Sequence, residues 1–168
     1  MITSITHFEI PNLILEIIGD EEKIHSISFI KPESKKNELN KEDDGHTDII
    51  RKCIQELEEY FSGTRKNFTI PYKLKGTDFQ KRVWTELEKI PYGETISYAQ
   101  LAKRLGDEKC IRAAASANGK NKLGIVIPCH RVIGANGSLT GYAGGIENKK
   151  LLLELEKRNT KMVGWLFG

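Results

Sequence analysis

The chain is poor in cysteine, methionine and tryptophan, with three, two and two in 168 residues. Three cysteines, at 53, 110 and 129, cannot build the disulfide framework that holds small secreted domains together. Neither they nor the histidines at 7, 25 and 46 show the paired spacing of a zinc site, so no metal and no cofactor is expected. No apolar run approaches the ~20 residues of a membrane span, and no membrane partner is expected. The opening Met1-Ile2-Thr3-Ser4 carries neither a basic stretch nor a long apolar one, so no secretory leader is read. A reducing cytoplasm, where a lone cysteine stays a thiol, is the expected location. Internal repeats and low-complexity segments are also missing.

What is present points to two parts. Residues 1–75 hold 11 Lys and Arg against 14 Asp and Glu, and residues 76–168 hold 15 against 9. The overall charge of +3 therefore hides a basic second half, which favours a polyanionic partner there. The periodicity predicts strands over 5–10, 13–18 and 24–30, a solvated charged linker over 33–46, and a helix capped by Asp48 and closed by Gly63. Cys53 lies in the apolar stripe of that helix and reads as core. A short strand is expected around Phe68–Ile70. Thr77 with Gln80 and Ser97 with Gln100 are capping boxes that open two further helices. Gly106-Asp107 breaks the second, and another helix is expected over about 108–118. The fold class is α/β (α+β): a small N-terminal sheet-plus-helix domain over 1–75, then a mainly helical domain over 76–168 containing a helix-turn-helix.

Pro128-Cys129-His130-Arg131-Val132 is the stretch that carries chemistry. It follows Gly124-Ile125-Val126-Ile127, an apolar run that reads as a buried strand ending at a proline. A thiol beside an imidazole is the usual arrangement of an activated sulfur nucleophile. A buried structural cysteine beside a surface histidine would give the same dipeptide. In the last helix, at ~100° per residue, Glu156 falls inside the arc of Leu151, Leu152, Leu153 and Leu155, while Glu154 falls outside it. A carboxylate in an apolar arc needs a partner. The helix holding Arg112-Ala113-Ala114-Ala115-Ser116-Ala117-Asn118 has too few long polar side chains to read a major groove. Small residues suit a close approach to a minor groove, or equally tight helix packing.

Ile127 to Val132, with Arg112, Asn121, Tyr98, Tyr142-Ala143-Gly144-Gly145 and Glu156 at their spacings, resembles the O6-alkylguanine-DNA alkyltransferases. The likeness is strong over roughly 76–158 and coarse before that. It implies single-turnover repair, in which an alkyl group passes irreversibly from guanine O6 in double-stranded DNA to Cys129. Glu156 then orients and charges His130, which takes the thiol proton through a water. Tyr98 serves as phenol donor and as a contact to the target phosphate. Arg112 fills the stack of the flipped base, with Ala113, Ala114, Ser116 and Asn118 beside it on the DNA. The resemblance makes Asn121 a tie to the active-site strand. It lines the base pocket with Val132, Tyr142, Ala143 and Gly144, and gives Lys149 a supporting role. A monomer without an obligate protein partner is expected. Two departures stand out: Lys122 replaces the usual proline after Asn121, and Gly124 is smaller than usual. Other readings are a non-catalytic helix-turn-helix DNA-binding protein and a Cys-His hydrolase; no oxyanion-hole loop supports the latter.

Overall fold

The structure, a computed structural model, describes residues 3–34 and 46–167. The expected linker thus lies, from 35 to 45, outside the described residues; its start is a 3-10 turn, Pro32–Ser34. The chain forms two compact units: Met1–Leu74 with Lys122–Gly124, and Lys75–Asn121 with Ile125–Gly168.

The first unit is an antiparallel sheet of β1 (Ser4–Ile10), β2 (Leu13–Gly19) and β3 (Ile24–Ile30), in that order, with α1 (Asp48–Ser62) packed on β2 and β3. Alternation places Leu13, Leu15 and Ile17 of the central strand in the core. The matching stripe of α1 buries Ile50, Cys53, Leu57 and Tyr60. Thr47, rather than the expected Asp48, caps this helix by accepting from the Ile50 N–H, and Gly63 ends it in the left-handed conformation.

No strand forms at Phe68–Ile70. The carboxylate of Glu56, buried on α1, accepts from the Thr69 N–H at 2.9 Å and from the Thr69 hydroxyl, so this stretch bonds a side chain and not a ladder. The free edge of β3 is closed instead by two single-residue parallel bridges, Ile24 to Tyr72 and Ile27 to Leu123. In the second, the Ile27 N–H donates to Lys122 and the Gly124 N–H donates back to Ile27. Gly124 is small because a Cβ there would lie 3.0 Å from the Ile27 carbonyl and 3.3 Å from the Phe29 ring.

The second unit is helical: α2 (Asp78–Glu88), α3 (Tyr98–Arg104), α4 (Ile111–Gly119) and α5 (Ile146–Phe167), with a two-residue parallel pair of β4 (Ile96–Ser97) and β5 (Val132–Ile133). Both capping boxes form. The helix expected over 108–118 is divided into a 3-10 turn, Glu108–Cys110, and α4. Trp84 of α2 donates its indole N–H to the Ala117 carbonyl at 2.9 Å, and Arg82 closes α3 through the Leu105 carbonyl. α5 continues to the end of the described residues, as far as Phe167. No helix among the described residues is long and apolar enough to cross a membrane.

The stretch before Cys129 is buried, as its composition requires, but it is a turn and not a strand. Its ladder contact is spent at Leu123, and Ile125 then sits at φ 70°, a left-handed conformation that a β-branched residue adopts only under constraint. The turn delivers Pro128, and Cys129 opens a 3-10 turn, Cys129–Arg131, that runs directly into β5.

Gly124→Ala should lower stability by about 1–3 kcal/mol, because the new methyl must displace backbone or the Phe29 ring. A urea titration should show a lower midpoint with an unchanged slope.

Candidate active site

Cys129 is only 5% exposed. The Asn121 amide reaches it across the turn, donating at 2.9 Å to the Ile127 carbonyl and at 3.2 Å to the Cys129 sulfur. The Tyr142 hydroxyl is buried and interacts electrostatically with the same thiol. Asn121 was expected to tie a strand; it ties a turn, and it touches the sulfur itself. Cys53 is sealed in the core of the first unit, where burial pushes its thiol up to about 12, and Cys110 is half-buried at the start of α4.

His130 is fully buried, and its Nε2 lies 2.8 Å from Glu156 Oε1. A carboxylate can only accept, so Nε2 carries the ring proton and Nδ1 is left as a bare lone pair. That Nδ1 is buried and makes no hydrogen bond to the protein. Glu156 lies in the apolar arc as the helix phase requires, at 1% exposure, whereas Glu154 is solvated and reaches only Lys150 at 4.0 Å.

The sequence reading missed Arg131. Its guanidinium donates from Nε at 2.9 Å and Nη2 at 2.8 Å to the two Glu156 oxygens, and from Nη1 at 2.7 Å to the Ile90 carbonyl. The Gly93 N–H adds a further bond to Glu156 at 3.2 Å. Gly93 sits at φ 79°, and a Cβ there would lie 2.2 Å from the Thr160 hydroxyl, so the turn that aims this N–H accepts only glycine. A permanent cation in a buried apolar stretch, next to a carboxylate already placed in an apolar arc, was the signal available for Arg131.

Burial pushes the Cys129 thiol above the usual cysteine value, and the Asn121 bond, the Lys149 charge and the nearby Tyr142 hydroxyl only partly offset it. Burial pulls His130 below the usual histidine value, against the bond and charge of Glu156. Burial alone would raise Glu156, but the His130 bond and charge, then the Arg131 bonds and charge, hold it well below the carboxylate range. Burial therefore weighs against charge on both the thiol and the imidazole, which sit beside the Arg131–Glu156 ion pair.

The remaining expected residues divide by face. On α4, Arg112, Ala113 and Ser116 are exposed on one side. Ala114 and Asn118, expected on the DNA, are instead turned into the helical core at 0% and 1% exposure. Small size lets Ala114 pack there, and the Asn118 amide donates to the Cys129 carbonyl at 3.3 Å. Tyr98, at the first turn of α3, donates its hydroxyl to the Thr140 carbonyl at 3.0 Å. Lys149 of α5 donates to the Val132 carbonyl at 2.6 Å and to Thr140 at 3.3 Å. Ala143 and Gly144 lie in the turn that leads into α5, with Ala143 exposed and the Gly144 carbonyl accepting from Asn148. Among the described residues no cluster of three or more His, Cys, Asp and Glu could hold a metal.

Residues 78–158 match the family model described as 6-O-methylguanine DNA methyltransferase, DNA binding domain. Residues 7–74 match the model of the ribonuclease-like domain of the same proteins. The methylated-DNA–protein-cysteine methyltransferase of Methanosarcina acetivorans is 44% identical over 149 residues, 89% of this chain and 95% of its own. The constitutive enzyme of that name from Bacillus subtilis is also 44% identical, covering 86% of this chain and 90% of its own. The crystal structure of Mycobacterium tuberculosis O6-methylguanine methyltransferase superposes with a TM-score of 0.80 at 37% identity, covering 94% of each chain. That of Mycobacterium tuberculosis OGT in complex with DNA gives 0.77 at 38% identity, covering 91% of this chain and 92% of that one.

Removing one partner of a buried ion pair leaves the other charge stranded, so Glu156→Gln should cost about 3–5 kcal/mol and Glu154→Gln less than about 0.5. The pH dependence follows from the signs. His130 is held below its usual 6.5, so the unfolded chain binds its proton first and stability begins to fall below about pH 6.5. Glu156 is held below its usual 4.5, so its contribution is complete above that pH and is lost as pH falls further. Thermal melts from pH 8 to pH 3 should show both limbs in the wild type, and Glu156→Gln should have a shallower lower one, because Asp20 and Glu59 are also held below their usual values.

Proposed function

The chain belongs to the 6-O-methylguanine DNA methyltransferase family, and from that membership we propose that it binds double-stranded DNA, flips out O6-alkylguanine and transfers the alkyl group to its own Cys129. The observation that carries this reading is the buried thiol of Cys129, bonded by Asn121 and followed in the chain by a histidine whose Nδ1 is an unspent base.

In the proposed step a sulfur–carbon bond forms and the carbon–O6 bond breaks. The electron pair of that bond stays with guanine, and the thiol proton passes through a water to His130 Nδ1. The departing base must gain a proton to leave as neutral guanine, so the thiol proton is returned to it at the end and the balance closes. Tyr98 serves as hydrogen-bond donor to the leaving base, exchanging its present bond to Thr140 for one to substrate. Neutral His130 fits this account better than a charged one, since only the neutral ring can accept a proton. The Arg131–Glu156 pair holds the ring in the required tautomer and receives the positive charge as it forms. The thioether has no evident route back to thiol, so one chain repairs one lesion.

On the DNA side, the exposed face of α4 suits the minor groove: Ala113 and Ser116 permit close approach, and Arg112 at the helix start enters the stack where the base has left. The pocket is assigned to Asn121, Val132, Tyr142, Ala143, Gly144 and Lys149. Main-chain carbonyls at Cys129 and Val132 would accept from the guanine amino group, and the Ala143 N–H would face O6. We assign the protein to the cytoplasm as a monomer acting without an obligate protein partner.

Two outcomes test the assignment. Cys129→Ser should retain binding to alkylated duplex and transfer nothing, as read by gel shift and by loss of label from the DNA. Arg112→Ala should slow repair of duplex by at least tenfold yet barely change reaction with free O6-benzylguanine, because non-specific affinity rests on phosphate charge and the wedge acts only when a base leaves the stack. Equal loss on both substrates would falsify the wedge.

A further inference from the structure

The turn after α2, residues 90–94, gives three of its groups to one ion pair. The Ile90 carbonyl accepts from Arg131 Nη1 at 2.7 Å, and the Gly93 N–H donates to Glu156 at 3.2 Å. Between them, the Tyr92 ring lies against the Arg131 guanidinium, whose carbon is 5.6 Å from the ring centroid. The Glu94 N–H closes the turn on the Pro91 carbonyl at 3.1 Å, so the three groups are held as one piece. Two of the contacts come from the backbone. The third depends on which side chain stands at 92.

The hydroxyl of that side chain is also engaged. It accepts from the Asn159 amide at 3.0 Å. Asn159 lies three residues after Glu156, so both stand on the same face of α5. The contacts form a closed circuit: Glu156 to Arg131, Arg131 to the Tyr92 ring, the Tyr92 hydroxyl to Asn159, and back along one turn of α5. A guanidinium carries its donors at the edge and has flat faces that stack on aromatic rings. At the edge, Nε, Nη1 and Nη2 all find carboxylate or carbonyl oxygens. The ring covers a face, and Arg131 is left 6% exposed while Tyr92 stays half-buried on the outer side. An ion pair in a low-dielectric interior keeps its strength only while water is kept from it.

We propose that Tyr92 is a positioning residue for the active site: its ring, held by Asn159, shields a face of Arg131 and so keeps the guanidinium on Glu156, the carboxylate that orients His130. Tyr92 touches no reacting atom and acts through Arg131. Without the ring, water reaches the guanidinium, its hold on Glu156 loosens, and more of the carboxylate charge acts on His130. The imidazole then takes up a proton at higher pH and is a poorer base on the acid side. The charged and titratable groups around it are Cys129 and Arg131 of the 3-10 turn, Glu156 and Lys149 of α5 and Tyr142 of the loop, with Arg158 of α5 beside Tyr92. The consequence for repair rests on the proposed alkyl transfer; the hold on Arg131 does not, and it is read without DNA.

The test compares the wild type with three variants. Tyr92→Leu removes the ring, whereas Tyr92→Phe and Asn159→Leu keep the ring and cut its hydrogen bond. Solvent exchange of the Arg131 Nε–H, which donates to Glu156, is followed by 15N NMR on the protein alone. Exchange should be about threefold faster in Tyr92→Phe and Asn159→Leu, and at least about tenfold faster in Tyr92→Leu. A rate equal to the wild type in any folded one of the three overturns the proposal. The pH profile of the reaction with free O6-benzylguanine gives a second reading. Tyr92→Leu should lose about threefold on the acid side and regain the wild-type rate on the alkaline side. A loss equal at every pH is what a merely structural role would give, and it overturns the proposal. The ordered exchange rates in a chain that takes up no alkyl group would sink the proposed function alone.

Discussion

The carboxylate of Glu156 is the point on which the helical unit turns. Four N–H groups converge on its two oxygens, from His130, from Arg131 twice, and from the Gly93 backbone. A carboxylate offers about four acceptor sites, so these donors match its capacity. Three pieces of chain that meet nowhere in sequence are thereby fixed together: the turn after α2, the 3-10 turn of Cys129–Arg131, and α5. The same ion pair sets the chemistry. Burial, with a smaller contribution from the Arg131 charge, holds His130 below the usual histidine value against Glu156, and its Nδ1 is bare.

A second constraint acts on the sulfur. The residues that bond Cys129 come from α4 and from the turn at 121–127, and each contact is specific: Asn118 to its carbonyl and Asn121 to its sulfur. α4 therefore serves two faces. Its inner residues Ala114 and Asn118 hold the interior beside Cys129, and its outer residues Arg112, Ala113 and Ser116 are left for a partner.

Much of this was legible in the residues. The two capping boxes, the three strands, the apolar stripe of α1 and the phase of Glu156 follow from local rules, periodicity and hydrogen-bond chemistry, and the structure shows each of them. What the sequence hid were cases where a tertiary partner outbid a local preference. Phe68–Ile70 has strand composition, but Thr69 bonds the buried Glu56 instead. Ile125–Ile127 has the apolarity of a buried strand, but the bridge at Leu123 consumes the ladder and the chain turns at Ile125. Ala114 and Asn118 were assigned to the DNA from composition, because a run of small residues does not show its phase. Arg131 passed unnoticed since a guanidinium in a motif reads as a surface charge until its partner is placed. The pull of burial against charge on the thiol and imidazole was out of reach as well, because sequence adjacency does not reveal burial.

The central claim is that Cys129 alone receives the alkyl group, once per chain. It is tested most directly by incubating the wild-type protein with excess duplex containing O6-methylguanine, weighing the intact chain, and mapping the modified peptide by tandem mass spectrometry. The account predicts a gain of one methyl group, ~14 Da, reaching a plateau at one per chain, with the fragment ions placing it on Cys129. A methyl group on Cys53 or Cys110, or product that accumulates beyond one equivalent while the chain mass stays unchanged, would contradict it.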